Sequence, residues 1–293
     1  MGAPTPPPPS DDGVLLRPMT ASDLAAAHAL SSELRWPHRV VDWEQAFALG
    51  DGVVAQHDGE IVGTALRWRW GERHATLGLV IVAPACQGRR IGHRLMSALL
   101  DGLDGDRSVL LHATAEGRGL YERLGFVRIG ELRQHQGIAL PAPLVGLDAG
   151  WRLRPAGQSD LDALTALDAA ARGMPRGALI EALLGIAEAA VVLDHADAPR
   201  GFGMLRRFGR GHLIGPVVAP DADGARALIA HLSGLNAGHF TRIDIDAESG
   251  LAEWLENLGL ARVDAPTTML RGSALASAAD APRLFAIVTQ ALG

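Results

Sequence analysis

Lysine is missing from this chain of 293 residues, and all 27 of its basic residues are arginine. Neither Schiff-base chemistry nor a phosphate-loop lysine is therefore available. A single cysteine, Cys86, excludes an intramolecular disulfide and a Cys-based zinc cluster. That count fits a reducing, cytoplasmic setting, and no metal site is expected. Apolar runs are short: one of the longest, LGLVIVAPAC over 77–86, falls well below the roughly 20 residues needed to cross a bilayer. The net charge of −6 provides no basic stripe for neutralising phosphates, so neither nucleic acid nor membrane is expected as a partner. Tyrosine is almost absent too, with Tyr121 the sole copy. The missing lysines read as background composition, because arginine, alanine, glycine and proline are all abundant.

What is present describes a folded chain of 48% hydrophobic and 20% charged residues, long enough for two domains. An internal repeat supports that division. Leu16-Arg17-Pro18, Ser22-Asp23-Leu24 and Ala29-Leu30 return as Leu153-Arg154-Pro155, Ser159-Asp160-Leu161 and Ala166-Leu167. LGLVIVAP at 77–84 returns as LIGPVVAP at 213–220, and Leu124-Gly125-Phe126 as Leu258-Gly259-Leu260. The expected layout is a Pro-rich disordered arm over 1–13, a first domain over 14–146 and a second over 147–293. In each copy a strand leads into two helices, and a run of strands and helices in the order ββαβαβ follows. Asp58-Gly59 marks the hairpin of the first copy. The fold class is α+β, a twisted mixed sheet flanked by helices.

Between a strand and a helix the first copy reads Gln87-Gly88-Arg89-Arg90-Ile91-Gly92, with Arg94 one turn on. Small residues at a helix N-terminus turn several backbone N–H groups toward one point, where the helix dipole favours an anion such as a pyrophosphate. With Val82-Ala83-Pro84 before it and Leu120-Tyr121-Glu122-Arg123-Leu124-Gly125-Phe126 after it, this segment resembles the GNAT superfamily of N-acetyltransferases. Arg90 stands where that family usually has glycine. The finer likeness is to tandem GNAT proteins with a YitH-type second domain, through Ala113-Thr114, Gly215-Pro216-Val217-Val218-Ala219, Ile243-Asp244-Ile245 and Phe285-Ala286-Ile287. In place of their aspartate stands His112.

The resemblance implies transfer of an acetyl group from acetyl-CoA directly to an amine acceptor, a small molecule or a peptide, by a monomer or homodimer. It places the cofactor along the backbone of Leu79, Val80, Ile81 and Val82 and at Gln87, Gly88, Arg89, Arg90, Ile91, Gly92 and Arg94. Tyr121 would give a proton to the departing thiolate, and His112 is the first candidate for a base. Trp36, Trp43, Trp68 and Trp70 fall in segments that build the acceptor pocket, either as its lining or as core. Acidic Glu33, Asp42 and Glu44 are candidate amine holders. The second copy has Pro220-Asp221-Ala222-Asp223 in place of the arginines and Leu255 in place of Tyr121, so it is expected to be catalytically silent and to shape the pocket. An alternative reading is an acyl-CoA sensor without turnover.

Overall fold

The computed structural model describes residues 13–103, 107–143, 145–276 and 278–293; apart from Gly13, the expected disordered arm lies outside them. The first half runs through β1 (Val14–Pro18), α1 (Leu24–Glu33), α2 (Val40–Ala48), β2 (Asp51–His57), β3 (Glu60–Trp70) and β4 (His74–Val82). It continues with α3 (Ile91–Asp101), β5 (Ser108–Ala113), α4 (Arg118–Arg123) and β6 (Val127–Ile138). The same order returns as β7 (Trp151–Pro155), α5 (Leu161–Arg172), α6 (Gly177–Ile186), β8 (Ala189–His195), β9 (Ala198–Phe208) and β10 (Gly211–Ala219). Then follow α7 (Ala222–Leu235), β11 (Phe240–Asp246), α8 (Ala252–Asn257) and β12 (Ala261–Asp264), and two further strands, β13 (Thr267–Arg271) and β14 (Arg283–Ala286).

The repeated Leu-Arg-Pro and Ser-Asp-Leu signatures do the same physical job in both halves. Arg17 donates to the two oxygens of Asp23 at 2.8 and 2.7 Å, and Asp23 also accepts the Thr20 backbone N–H at 2.8 Å. Arg154 and Asp160 match this at 2.9 and 2.7 Å, with the Gly157 N–H donating at 2.8 Å. Each carboxylate thus ties the first strand to the start of the first helix and satisfies a donor that a helix start leaves open. The Arg17 hydrogen bonds hold Asp23 down to about 2, and Arg154 likewise lowers Asp160. A lowered carboxyl pKa gives stability that is complete above the unfolded value of about 3.9 and is lost as pH falls through the folded value. An acid titration followed by circular dichroism should therefore lose stability between about pH 4 and pH 2. A double variant, Asp23→Asn with Asp160→Asn, should start less stable at neutral pH and lose less over that window.

The strands form one continuous sheet in the order β1-β2-β3-β4-β5-β13-β6-β11-β14-β10-β9-β8-β7. Strands are exchanged between the halves. Thr267–Arg271 of β13 pair antiparallel with Ala113–Val109 of β5 on one side and with the start of β6 on the other. Beyond that point β6 runs on beside β11, from Leu132 opposite Asp246 to Ile138 opposite Phe240, with β12 on its other flank. A cut between residues 146 and 147 separates the two sets of helices and loops, yet it parts strands that each half needs from the other.

One apolar cluster likewise spans the halves, joining Trp43, Trp68 and Trp70 to Leu164, Met174 and Phe202. The three tryptophans are 0%, 0% and 3% exposed. Their indole N–H groups are satisfied internally, by Ser31 Oγ at 3.1 Å, the Ala46 carbonyl at 2.7 Å and Thr76 Oγ1 at 3.0 Å. Of the two readings open for these three, the structure selects core, with apolar bodies packed and polar tips paired.

Candidate active site

Strands β4 and β5 are parallel neighbours only over His74–Thr76 and Ser108–Leu110. Past Thr76 they part. The register of β4 against β3 shifts between Thr64 and Leu66, and Leu79 adopts a left-handed φ of 51° with its carbonyl held by Thr64 Oγ1 at 2.8 Å. This bulge re-aims the strand, as bulges beside functional sites do, and a cavity of about 1150 Å³ opens in the wedge. Leu79, Val80, Ile81 and Val82 all line it.

At the end of β4 the chain makes a short turn over Pro84–Cys86 and then enters α3. Gly88 has a φ of 79° with no atom within 4 Å of where a Cβ would stand, so conformation rather than crowding calls for glycine there. Arg90 sits at φ 60° and ψ 15°, the left-handed region, as the N-cap of α3, and its side chain does not cap the helix. That conformation explains the glycine usual at this position, because a residue with a Cβ is strained there by about 1–2 kcal/mol. The first-turn N–H groups of such a helix point outward and attract an anion. Gln87, Gly88, Arg90, Ile91 and Gly92 border the cavity. Arg89 and Arg94 do not line it, and Arg94 Nη2 turns back to the Val14 carbonyl at 2.7 Å, tying α3 to β1.

Tyr121 reaches the same cavity from α4 and is 8% exposed. Its ring meets Phe126 edge to face at 6.1 Å, and Gly117 leaves space for it, since a Cβ there would lie 3.1 Å from Tyr121 Cε2. Burial pushes the phenol up to about 12, so the proton stays on at neutral pH. His112 on β5 also lines the cavity, with Nδ1 3.1 Å from Thr268 Oγ1 of the exchanged strand β13. Its Nε2 has no partner among the described residues. Burial, reinforced by the charges of Arg172 and Arg176, holds the imidazole well below its usual range and hence neutral.

The opposite wall comes from segments that no local motif marked. Trp36 and His38 of the α1–α2 corner meet there, with Phe208 of β9, Arg242 of β11 and Gln290 beyond β14. His38 lies 5.9 Å from Trp36 and 5.3 Å from Phe208, ring centre to ring centre, and burial beside Arg242 lowers it to about 4. The segment after β14 presses on the splayed strand: a Cβ on Gly78 would stand 2.7 Å from the Ala291 Cα. Of the four tryptophans only Trp36 reaches the cavity. Asp42, a candidate amine holder, is tied instead to Arg39 and to the Gly209 N–H, and Glu33 and Glu44 lie outside the cavity lining.

The equivalent wedge in the second half is filled. Strands β10 and β11 pair over His212–Ile214 and Thr241–Ile243 and then part, and β14 enters between them, with Ala286 opposite both Val217 and Ile245. At the start of α7 the carboxylate of Asp221 accepts the Gly224 N–H at 2.8 Å, so the end that would receive an anion already holds one. Leu255, in the place of Tyr121, is fully buried. No helix among the described residues is long and apolar enough to cross a membrane.

The model of an acetyltransferase (GNAT) domain matches residues 29–141, and a second model of an acetyltransferase (GNAT) domain matches residues 164–286. An uncharacterized N-acetyltransferase, YitH of Bacillus subtilis strain 168, is 30% identical over 241 residues, covering 80% of this chain and 82% of that protein. A putative acetyltransferase from Pyrococcus horikoshii aligns over 97% of both chains with a TM-score of 0.76 at 21% identity. A tandem GNAT protein from the clavulanic acid biosynthesis pathway aligns over 89% of this chain and 99% of its own with a TM-score of 0.63 at 14% identity; these last two likenesses speak to the fold. With two such domains in one chain and a relative matched along most of its length, the protein belongs to the GNAT acetyltransferases and is an acyltransferase of the tandem type.

Proposed function

We propose that the chain transfers an acetyl group from acetyl-CoA directly to an amine, that the first half carries the reaction, and that the second half shapes the acceptor pocket. The observation behind this reading is the contrast between the two wedges: the one between β4 and β5 is open, and the one between β10 and β11 is filled by β14. The open wedge has the parts the chemistry needs. Its uncapped helix α3, with Gly88 and Arg90, suits a pyrophosphate. The edge of β4 freed from β5 offers backbone groups from Leu79 to Val82 to an extended pantetheine arm, as an added strand would use them.

Acetyl-CoA supplies the thioester that the amine attacks, and the residues supply position and protons. Tyr121 holds its proton in an apolar setting and gives it to the sulfur as the carbon–sulfur bond breaks. The resulting phenolate is disfavoured by burial, so it recovers a proton quickly through the open cleft. His112 is too weak a base here to keep a proton. Held by Thr268 at Nδ1, it stays as a neutral polar group in the wall beside the reaction, while the amine sheds its proton to water.

Mixing the full chain with acetyl-CoA and a panel of amines, and following free thiol, tests the reading. Thiol release that depends on the amine is the expected result. Tight acetyl-CoA binding with no release for any amine class would favour the sensor reading instead.

A further inference from the structure

We infer that Arg242 makes this pocket selective for amines that also carry a carboxylate; the inference rests on the acetyl-transfer reading above and names its acceptor class. Arg242 lines the cavity from β11 and is 7% exposed. Its Nε donates to Asp244 Oδ1 at 2.9 Å and its Nη2 to Asp244 Oδ2 at 2.6 Å. Those bonds use one edge of the guanidinium. The other edge, formed by Nη1 and the second N–H of Nη2, has no hydrogen-bond partner among the described residues, and two parallel N–H donors are what a planar carboxylate accepts best. The head group is also immobilised before any ligand arrives, by fully buried Asp244 and by Phe208, whose ring centre lies 5.8 Å from the guanidinium carbon.

Charge around this group is unbalanced. Arg206 lies against the same ring with its guanidinium carbon 5.3 Å from the ring centre, is 3% exposed, and donates to the Val288 carbonyl at 2.7 Å, while its Nε has no partner among the described residues. Burial lowers it to about 10, which leaves it charged at neutral pH. Among the described residues Arg206 and Arg242 are buried near Asp42 and Asp244, and Asp42 is already tied to the part-exposed Arg39. A buried guanidinium that must share its counter-charge is costly, and a ligand carboxylate on Arg242 supplies a further one.

The same arrangement argues against polycationic acceptors. Among the described residues the carboxylates bordering the cavity, apart from any on the ligand, are Glu116 and Asp264, both exposed. No acid stands deep in the pocket to receive a second ammonium. Positive potential from Arg242 also disfavours the ammonium form of the amine that reacts, which lightens the demand on a base that His112 is poorly suited to meet. The neutral rings of Trp36 and His38 form an adjoining apolar wall for the rest of the acceptor.

Binding, which requires no turnover, separates this inference from the reaction itself. The CoA-loaded full chain is titrated calorimetrically with α- and ω-amino acids, each beside its methyl ester, and with spermidine. The free acids should bind about 10-fold or more tightly than their esters, because a site built around a polar partner rejects a ligand lacking it. In the double variant Arg242→Gln with Asp244→Asn, which removes one charge of each sign, that ratio should fall toward one. Equal binding of acid and ester to the unaltered chain overturns the inference, as does a preference that survives in the double variant, failure of every acid to bind, or tighter binding of spermidine. Acid-selective binding without thiol release would count against acetyl transfer alone. Thiol release that ignores the carboxylate would count against Arg242 alone.

Discussion

Replacing Tyr121 with phenylalanine should lower kcat by about 10²-fold, the low end of what one positioned proton donor contributes. The substitution removes only the hydroxyl. The ring contact with Phe126 at 6.1 Å and the space beside Gly117 are retained, so the thermal midpoint should shift little. KM for acetyl-CoA should hold, because the loss falls on a proton transferred as the thiolate departs rather than on binding. The pH profile adds a second check. With the phenol pushed up to about 12, the acid stays loaded across the ordinary alkaline range, and kcat should show no fall near pH 10 that belongs to this group. Steady-state kinetics of the two proteins decide the matter. Full activity in the phenylalanine variant would remove Tyr121 from the mechanism.

A chain stopped after residue 146 should not fold to an active enzyme, although it contains every motif attributed to catalysis. Without β13 the outer edge of β5 loses five paired positions, from Val109 to Ala113. Such an edge in a half-built sheet is an open template for aggregation. His112 loses Thr268, and the second half of β6 loses both β11 and β12. The shared cluster is cut through as well, leaving Trp43, Trp68 and Trp70 without Leu164, Met174 and Phe202. Exposing this much apolar surface costs about 25 cal/mol for each Å². Size-exclusion chromatography and near-ultraviolet circular dichroism should report an aggregated or unfolded product, and calorimetry of the whole chain should show one transition rather than two. A soluble, monomeric fragment that turns over acetyl-CoA would contradict the exchanged-strand account.

Much of this was legible in the sequence because it is local. The Leu-Arg-Pro and Ser-Asp-Leu repeats encode contacts that close within a few residues, Arg17 to Asp23 and Arg154 to Asp160, and they duplicate with the fold. The Gln87 to Gly92 loop and Tyr121 are also local signals, and most of that loop and the tyrosine border one cavity. Arg94 shows where local reading stops. It lies one turn past the loop, where charge alone points to the ligand, but its guanidinium has a backbone partner on β1.

The parts that were not legible depend on pairing between distant strands. Alternation shows that Trp68 and Trp70 share a face of β3; it does not show that helices of both halves cover that face. The motif Phe285-Ala286-Ile287 was visible as a terminal likeness, yet nothing in it says that the strand enters the wedge between β10 and β11. Arg242 and Gln290 carry no motif. They become part of the site only because β6 runs from one half into the other and brings β11 alongside.

One wedge should bind acetyl-CoA, whereas the other is closed by the chain itself. Calorimetric titration of the full chain with acetyl-CoA, repeated on Arg90→Asp, tests this most directly. Aspartate tolerates the left-handed conformation better than most residues, and it places a carboxylate at the N-terminus of α3, the end at which Asp221 stands on α7. One site per chain is expected, weakened at least about 10-fold in the variant by a negative charge at the helix N-terminus, with no loss of thermal stability because that charge suits the helix dipole. Two sites of similar affinity, or a single site that Arg90→Asp leaves untouched, would contradict this expectation.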